Sequence, residues 1–121
     1  MKVNIIGKGI SLTPAIKDYV KKKIKHVEKL IDPNDDSALA TIEIGKTTKH
    51  HNAGPWFVAE IALHIAGKDL VAKQEHEDLY AAIDLLKDSI SSEVTAHRTR
   101  KIARERRGAR TIKNIIRNAV E

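Results

Sequence analysis

The chain predicts an α+β domain with the order β-α-β-β-β-α, a four-stranded sheet with two helices packed on one of its faces. Three observations carry that prediction. Four short runs alternate apolar and polar residues, as half-buried strands do. Two longer segments repeat apolar residues at every third or fourth position, the period of a helix with one buried stripe. The length of 121 residues leaves room for one hydrophobic core and little beyond it.

Met1 to Ile6 sets Val3 and Ile5 on one face, a first strand that ends at Gly7. Thr13-Pro14 then opens a helix. The threonine hydroxyl caps it, and proline at the first helical position gives up an N–H that has no helical partner anyway. Ile16, Val20, Ile24, Val27 and Ile31 form its stripe, Tyr19 and Leu30 widen it, and Asp32-Pro33 closes it. Leu39 to Gly45 is the second strand, with Ala40, Ile42 and Ile44 inward. After the polar stretch Lys46 to Gly54, Trp56 to Ile65 alternates most strongly. Phe57, Ala59, Ile61, Leu63 and Ile65 face one way, with Glu60 and His64 on the other face. Gly67-Lys68 makes a hairpin turn into Leu70 to Glu75, whose short apolar face suits an edge strand.

A long helix begins near Asp78, and Leu79, Ala82, Ile83, Leu86, Ile90 and Val94 are its stripe. Beyond Val94 the stripe fades while helix-forming residues continue through Arg107, so this helix is expected to project past the domain. Gly108 is expected to interrupt it, and Ile112, Ile115 and Ile116 to form a further short amphipathic helix. Residues 1–101 are thus the domain and residues 102–121 a basic helical extension or tail.

Charge narrows the function. The net charge is +6, and it is uneven: residues 97–121 hold nine basic groups against two acidic ones, while the first 96 residues are close to neutral. Within that body, Lys17 to Lys29 is a second cluster of six lysines against Asp18 and Glu28. Two basic clusters on a balanced body are the electrostatic footprint of a polyanion-binding surface. Aromatic residues are only 3% of the chain, and Trp56 is the one ring expected to be exposed, too few for stacking single-stranded bases. Helical lysines and arginines favour phosphate contacts to structured RNA instead.

Other chemistries are poorly supported. The absence of cysteine excludes disulfides, thiolate chemistry and cysteine-ligated zinc. The six histidines show no zinc-protease spacing, and His50-His51 reads as loop rather than as a metal site. Glu60 and His64 share a strand face, where an acid–base pair is less expected than two polar residues on an open sheet. Gly7-Lys8-Gly9 is too short for a phosphate loop. No apolar run approaches the roughly 20 residues of a membrane span, and no secretory signal is expected, since Met1 leads straight into a charged, strand-like segment. A cytoplasmic protein with no membrane partner, no enzyme activity and no cofactor is expected.

The run His76 to Asp84 (HEDLYAAID), followed by a helix ending in basic residues, resembles the ribosome hibernation promoting factor and protein Y family. Gly7, Leu12-Thr13-Pro14-Ala15-Ile16, Tyr19-Val20, Lys29-Leu30 and the spacing from Gly67 to Tyr80 support the resemblance, which covers about residues 1 to 101. It implies the β-α-β-β-β-α fold, reminiscent of double-stranded RNA-binding domains. It also implies a translation inhibitor that lodges in the small ribosomal subunit over the decoding region. There, basic residues of both helices contact ribosomal RNA, and messenger RNA and transfer RNA in the A and P sites are blocked. No reaction, metal or small-molecule substrate is implied.

Carried onto this sequence, the resemblance implies ribosomal RNA contacts by Lys22, Lys23, Lys25 and Lys29 on the first helix. On the second helix it implies Lys87, His97, Arg98, Arg100 and Lys101. Lys23 flanks the core stripe, where its stem can instead cover the sheet edge. Tyr80 and Asp84 match the motif, Tyr80 as a packing residue first. Ser89, Ser92 and Ala96 stand where many relatives carry Lys or Arg, and Glu93 adds an opposing charge, so fewer phosphate contacts are expected there. Longer members continue into a second domain that pairs ribosomes; by length this chain looks like the short, protein Y-like kind. The rivals are a general binder of double-stranded RNA and a protein-interaction module docking through Ile112, Ile115 and Ile116.

Overall fold

The computed structural model describes residues 1–47 and 56–120, with side chains up to residue 112. The elements follow in the expected order: β1 (Lys2–Lys8), α1 (Pro14–Glu28), β2 (Leu39–Thr47), β3 (Trp56–Ile65), β4 (Lys68–His76) and α2 (Leu79–Val120). The four strands lie in the order β1-β2-β3-β4, with β1 parallel to β2 and the other neighbours antiparallel. Two parallel neighbours need a long crossover, and α1 supplies it. β4 pairs only with β3 and is an edge, as its short apolar face predicts.

Local chemistry sets the boundaries. The backbone N–H of Ile16 donates to Thr13 Oγ1 at 3.2 Å, with Pro14 in the first turn. The helix ends with Lys29 as its cap, tightening into short bonds from Leu30 N to Val27 O and from Ile31 N to Glu28 O. It therefore stops short of Ile31, which nevertheless packs against the core. Pro33 disfavours helical backbone at Asp32, and the Asp32 side chain accepts from Asn34 N to form the turn. β1 runs through Gly7 rather than ending there. A Cβ at Gly7 would lie 2.8 Å from the Ile10 carbonyl oxygen and 3.0 Å from Leu12 Cγ, so the chain folding back over β1 demands a bare backbone. The β3–β4 hairpin turns at Ala66-Gly67, where Gly67 takes a φ of +78°.

The helix layer covers one sheet face. Ile16, Val20, Ile24 and Val27 of α1 and Ile83, Leu86, Ile90 and Val94 of α2 meet the inward residues of β2, β3 and β4. Among the described residues no buried one is polar or charged, so every ionic group is left to the surface. The opposite face is bare, and most of its charges pair with one another. Lys8 meets Glu43 at 3.0 Å, Lys73 meets Glu60 at 3.4 Å and His64 Nδ1 meets Asp69 at 2.6 Å. Glu60 and His64 therefore belong to separate pairs.

α2 departs from expectation in one respect. Gly108 does not interrupt it, and the helix continues unbroken to Val120. Forty-two residues at 1.5 Å each make it about 63 Å long. A glycine costs a helix about 1 kcal/mol relative to alanine, whereas extension from an established helix needs no new nucleus. The Thr111 hydroxyl also donates to the Arg107 carbonyl at 3.0 Å, bridging the glycine from either side. Among the described residues no helix is long and apolar enough to cross a membrane. His50 and His51 lie outside the described residues, as do the side chains of Ile115 and Ile116.

Candidate nucleic-acid interface

The two helices lie side by side and run in the same direction. Tyr19 of α1 meets Tyr80 and Asp84 near the start of α2, and Lys29 to Ile31 share a groove with Val94 to Ile102 further along. A polar knot holds the first of these meetings. The Tyr19 hydroxyl donates to Asp84 Oδ1 at 2.7 Å, Lys23 Nζ reaches the same oxygen at 3.1 Å, and the Tyr19 and Tyr80 rings pack edge to face at 4.8 Å. The Lys23 ammonium also lies 5.1 Å from the Tyr19 ring centroid, a cation–π contact. Burial works against the Asp84 carboxylate, but the hydrogen bonds from Tyr19 and Lys23, and the charges of Lys23 and Lys87, outweigh it and hold its pKa below the ordinary value. The Asp84 hydrogen bond correspondingly raises Lys23.

This knot sorts the candidate residues. Lys23 is half-buried and committed to Asp84, and Lys87 is half-buried and lies 2.8 Å from Asp88. Lys22, Lys25 and Lys29 are exposed on α1 at positions that fall on one side of the helix, and none meets a described carboxylate. Arg98, Arg100 and Lys101 are likewise exposed and without a described carboxylate partner.

The candidates converge in part. A groove of about 490 Å³ runs between the end of α1 and the middle of α2, and its rim brings together Lys29, His97, Arg98 and Lys101. Its floor is apolar, with Leu30, Ile65, Val94 and Ile102, and Asp32, Asp35 and Glu105 also line it. Asp35 is spoken for: it accepts from Ser37 Oγ at 2.6 Å and from Ala66 N at 2.8 Å, which lowers its pKa and ties the β3–β4 turn to the loop after α1. Arg100 is not in this groove. It lies on the opposite flank of α2, facing the β3–β4 turn. Lys22 and Lys25 extend the positive surface along α1 without lining either depression.

Three further placements refine the expectations. Trp56 is half-buried, tilted against His76 with ring centroids 6.5 Å apart, and Tyr80 is the more exposed ring at 39%. Ser89 accepts a 2.7 Å hydrogen bond from Gln74 Nε2, so it clamps α2 to β4. The role of Asp84 was not legible beforehand, because it depends on Tyr19 and Lys23, more than sixty residues away in sequence. Only the matching motif HEDLYAAID marked it out.

Comparison with known proteins supplies the family. Residues 3–102 match the family model described as sigma 54 modulation protein / S30EA ribosomal protein. A ribosome hibernation promoting factor of Azotobacter vinelandii is 34% identical over 105 residues, covering 87% of this chain and 90% of its own. One of Klebsiella oxytoca is 31% identical over 98 residues, covering 81% of this chain and 94% of its own. Among solved structures, the protein Y N-terminal domain of Thermus thermophilus superimposes with a TM-score of 0.67 at 28% identity, covering 80% of this chain and 99% of that domain. A ribosomal subunit interface protein of Coxiella burnetii, at 19% identity and a TM-score of 0.66, shares the fold. With its sheet order, its paired helices and nearly all of its domain accounted for, the chain belongs to the sigma 54 modulation protein / S30EA ribosomal protein family, alongside the ribosome hibernation promoting factors.

Proposed function

We propose that this protein is a ribosome hibernation factor of the cytoplasm, which binds ribosomal RNA at the decoding region of the small subunit. There it excludes messenger RNA and transfer RNA from the A and P sites. The observation that carries this reading is the groove in which Lys29 of α1 meets Arg98 and Lys101 of α2, cations from two elements that form no ion pair with a described carboxylate, although Asp32, Asp35 and Glu105 also line it. Cations left out of ion pairs on a rigid surface gain by neutralising phosphates and releasing counterions. Lys22, Lys25 and Arg100 enlarge the same positive surface. Lys23 acts first through Asp84, as a positioning residue that keeps α1 and α2 in register, and Lys87 supports the Asp84 charge balance.

The relatives named above are hibernation factors rather than enzymes, and the action proposed here is occlusion without catalysis. Cosedimentation with isolated small subunits, combined with initiator transfer RNA binding, tests it. Saturating protein is expected to pellet with the subunits and to lower transfer RNA occupancy. Equal occupancy with and without protein overturns the blocking mechanism. Release of the protein from subunits by naked duplex RNA would favour a general binder of double-stranded RNA instead.

A further inference from the structure

On the flank of α2 away from α1, a second depression of about 420 Å³ opens between the long helix and the β3–β4 turn. Gly67, Lys68, His97, Arg100, Arg104 and Arg107 line it, and among the described residues no carboxylate does. The arrangement has two sources. Residues 97, 100, 104 and 107 follow each other at three- and four-residue steps, so they stack on one face of the helix. Lys68 arrives from the hairpin, brought across by a tight turn in which Gly67 adopts positive φ and Asp35 holds the Ala66 N–H. Lys68, Arg100, Arg104 and Arg107 make no salt bridge to any described residue.

Holding like charges together in one cleft, with no described carboxylate to offset them, disfavours the free protein and is relieved by an anion. Three arginines in line along about 10 Å of helix suit a run of phosphates better than one small anion, since each guanidinium presents a planar fork to phosphate oxygens. We propose that Lys68, Arg100, Arg104 and Arg107 form a second phosphate-binding cleft, which grips the sugar–phosphate backbone of an RNA strand on the opposite flank of α2 from the inter-helix groove. The proposal rests on the ribosomal RNA reading above and adds a contribution from the β3–β4 turn. The long helix is then held along RNA on both sides.

His97 reports on the cleft because it lines both depressions. Lys68 of the turn and Arg100, Lys101 and Arg104 of α2 face it, and Lys29, Asp32, Asp35 and Glu105 share its other groove. Phosphate in the cleft offsets the cations around the ring and favours its protonation.

The test compares intact wild-type protein with K68Q/R104Q in cosedimentation with small subunits across a salt series, with R98Q/K101Q as the groove control. Each lost phosphate contact removes roughly 0.7 to 0.9 from the magnitude of the log–log salt slope, so K68Q/R104Q is expected to lose roughly 1.4 to 1.8 at a melting temperature no lower than that of wild type. A wild-type slope for K68Q/R104Q, while R98Q/K101Q loses its share, overturns the cleft. If the wild-type protein fails to bind small subunits, the function proposed above fails. The same pair is then read on a duplex RNA of about two helical turns, where the same loss supports the cleft and an unchanged slope overturns it. In parallel, the His97 ring resonances are followed by NMR during titration with inorganic phosphate. A shift only when RNA is added supports the backbone assignment, whereas saturation by inorganic phosphate at low concentration identifies a free-phosphate site and overturns it.

Discussion

On the open face of the sheet, Lys8, Lys73 and His64 each meet a carboxylate on a neighbouring strand; on the helix layer, Lys22, Lys25, Lys29, Arg98, Arg100 and Lys101 meet no described carboxylate. The two surfaces carry the same residue types. Yet on the open face Lys2 alone of the described cations is left without a described carboxylate, while the helix layer keeps many cations available for a partner. On the sheet, register decides the outcome: Glu43, Glu60 and Lys73 lie in one cross-strand row, and opposite charges in adjacent strands neutralise one another. On the helices, lysine and arginine repeat along the exposed sides, and Asp18, Glu93 and Glu105 of the same helices form no ion pair with described residues. A count of basic residues overstates the binding surface; the relevant quantity is the charge left unanswered after folding.

The largest effect should come from erasing that unanswered charge. The quadruple variant K22Q/K25Q/R98Q/K101Q removes four candidate phosphate contacts and is expected to reduce the magnitude of the salt slope for small-subunit binding by about 3. A wild-type slope would mean that the helix layer is as silent toward phosphate as the open face.

The next effect separates charge from position. D84A deletes an anion at the inter-helix joint, so electrostatics alone predicts tighter RNA binding. The Tyr19–Asp84–Lys23 knot predicts the reverse, because α1 and α2 lose their fixed spacing. Weaker binding and a loss of about 1 kcal/mol of stability, discounted for the partial exposure of the site, are expected, or about 4 °C in melting temperature. Tighter binding by D84A would assign Lys23 to phosphate rather than to the joint. The Asp84 pKa is held below its ordinary 3.8, so its stabilisation is present above that value and disappears as pH falls through the lower folded value. Acid unfolding of D84A should accordingly lack this component.

A smaller effect is expected from His97. Burial first, then the charges of Arg100, Lys68, Arg104 and Lys101, hold its pKa below the ordinary 6.5. The unfolded chain then binds the proton more readily, so stability is greatest above pH 6.5 and declines as pH falls below it toward the folded value. Melting temperatures measured between about pH 7.5 and about pH 5.5 should fall more for wild type than for H97Q. Equal declines would mean that neither burial nor the cations around it shift the ring in the folded protein. The smallest effect is the comparison's own control: K8Q/K73Q on the open face should change neither the salt slope nor the melting temperature appreciably. A drop in slope comparable to that of the helix-layer variant would erase the distinction between the two faces.

Much of this molecule was legible residue by residue. The stripes of α1 and α2 and the alternation of β3 from Ala59 to Ile65 predicted the buried set, because a buried stripe or face imposes its period on the chain that forms it. Phe57 at the start of β3, by contrast, is only half-buried and lies outside the core. Thr13-Pro14 fixed the start of α1 for equally local reasons. Gly108 misled, because its local cost is outweighed by a helix already nucleated on the core. Trp56 misled because the exposure of a ring at a strand end depends on its neighbour, here His76.

The candidate surface divides along the same line. Local sequence alone determined the fold class, the core, the two basic segments and the family motif, since each is written in spacing or in composition. Tertiary structure alone decided which cations are answered: Lys23 by Asp84, Lys73 by Glu60, and neither Lys29 nor Arg98 by any described group. The same holds for Lys68, which reaches the arginines of α2 only because a hairpin turns beside them. Pairing of charges is a matter of a few ångströms between segments far apart in the chain, and no local pattern of residues encodes that distance.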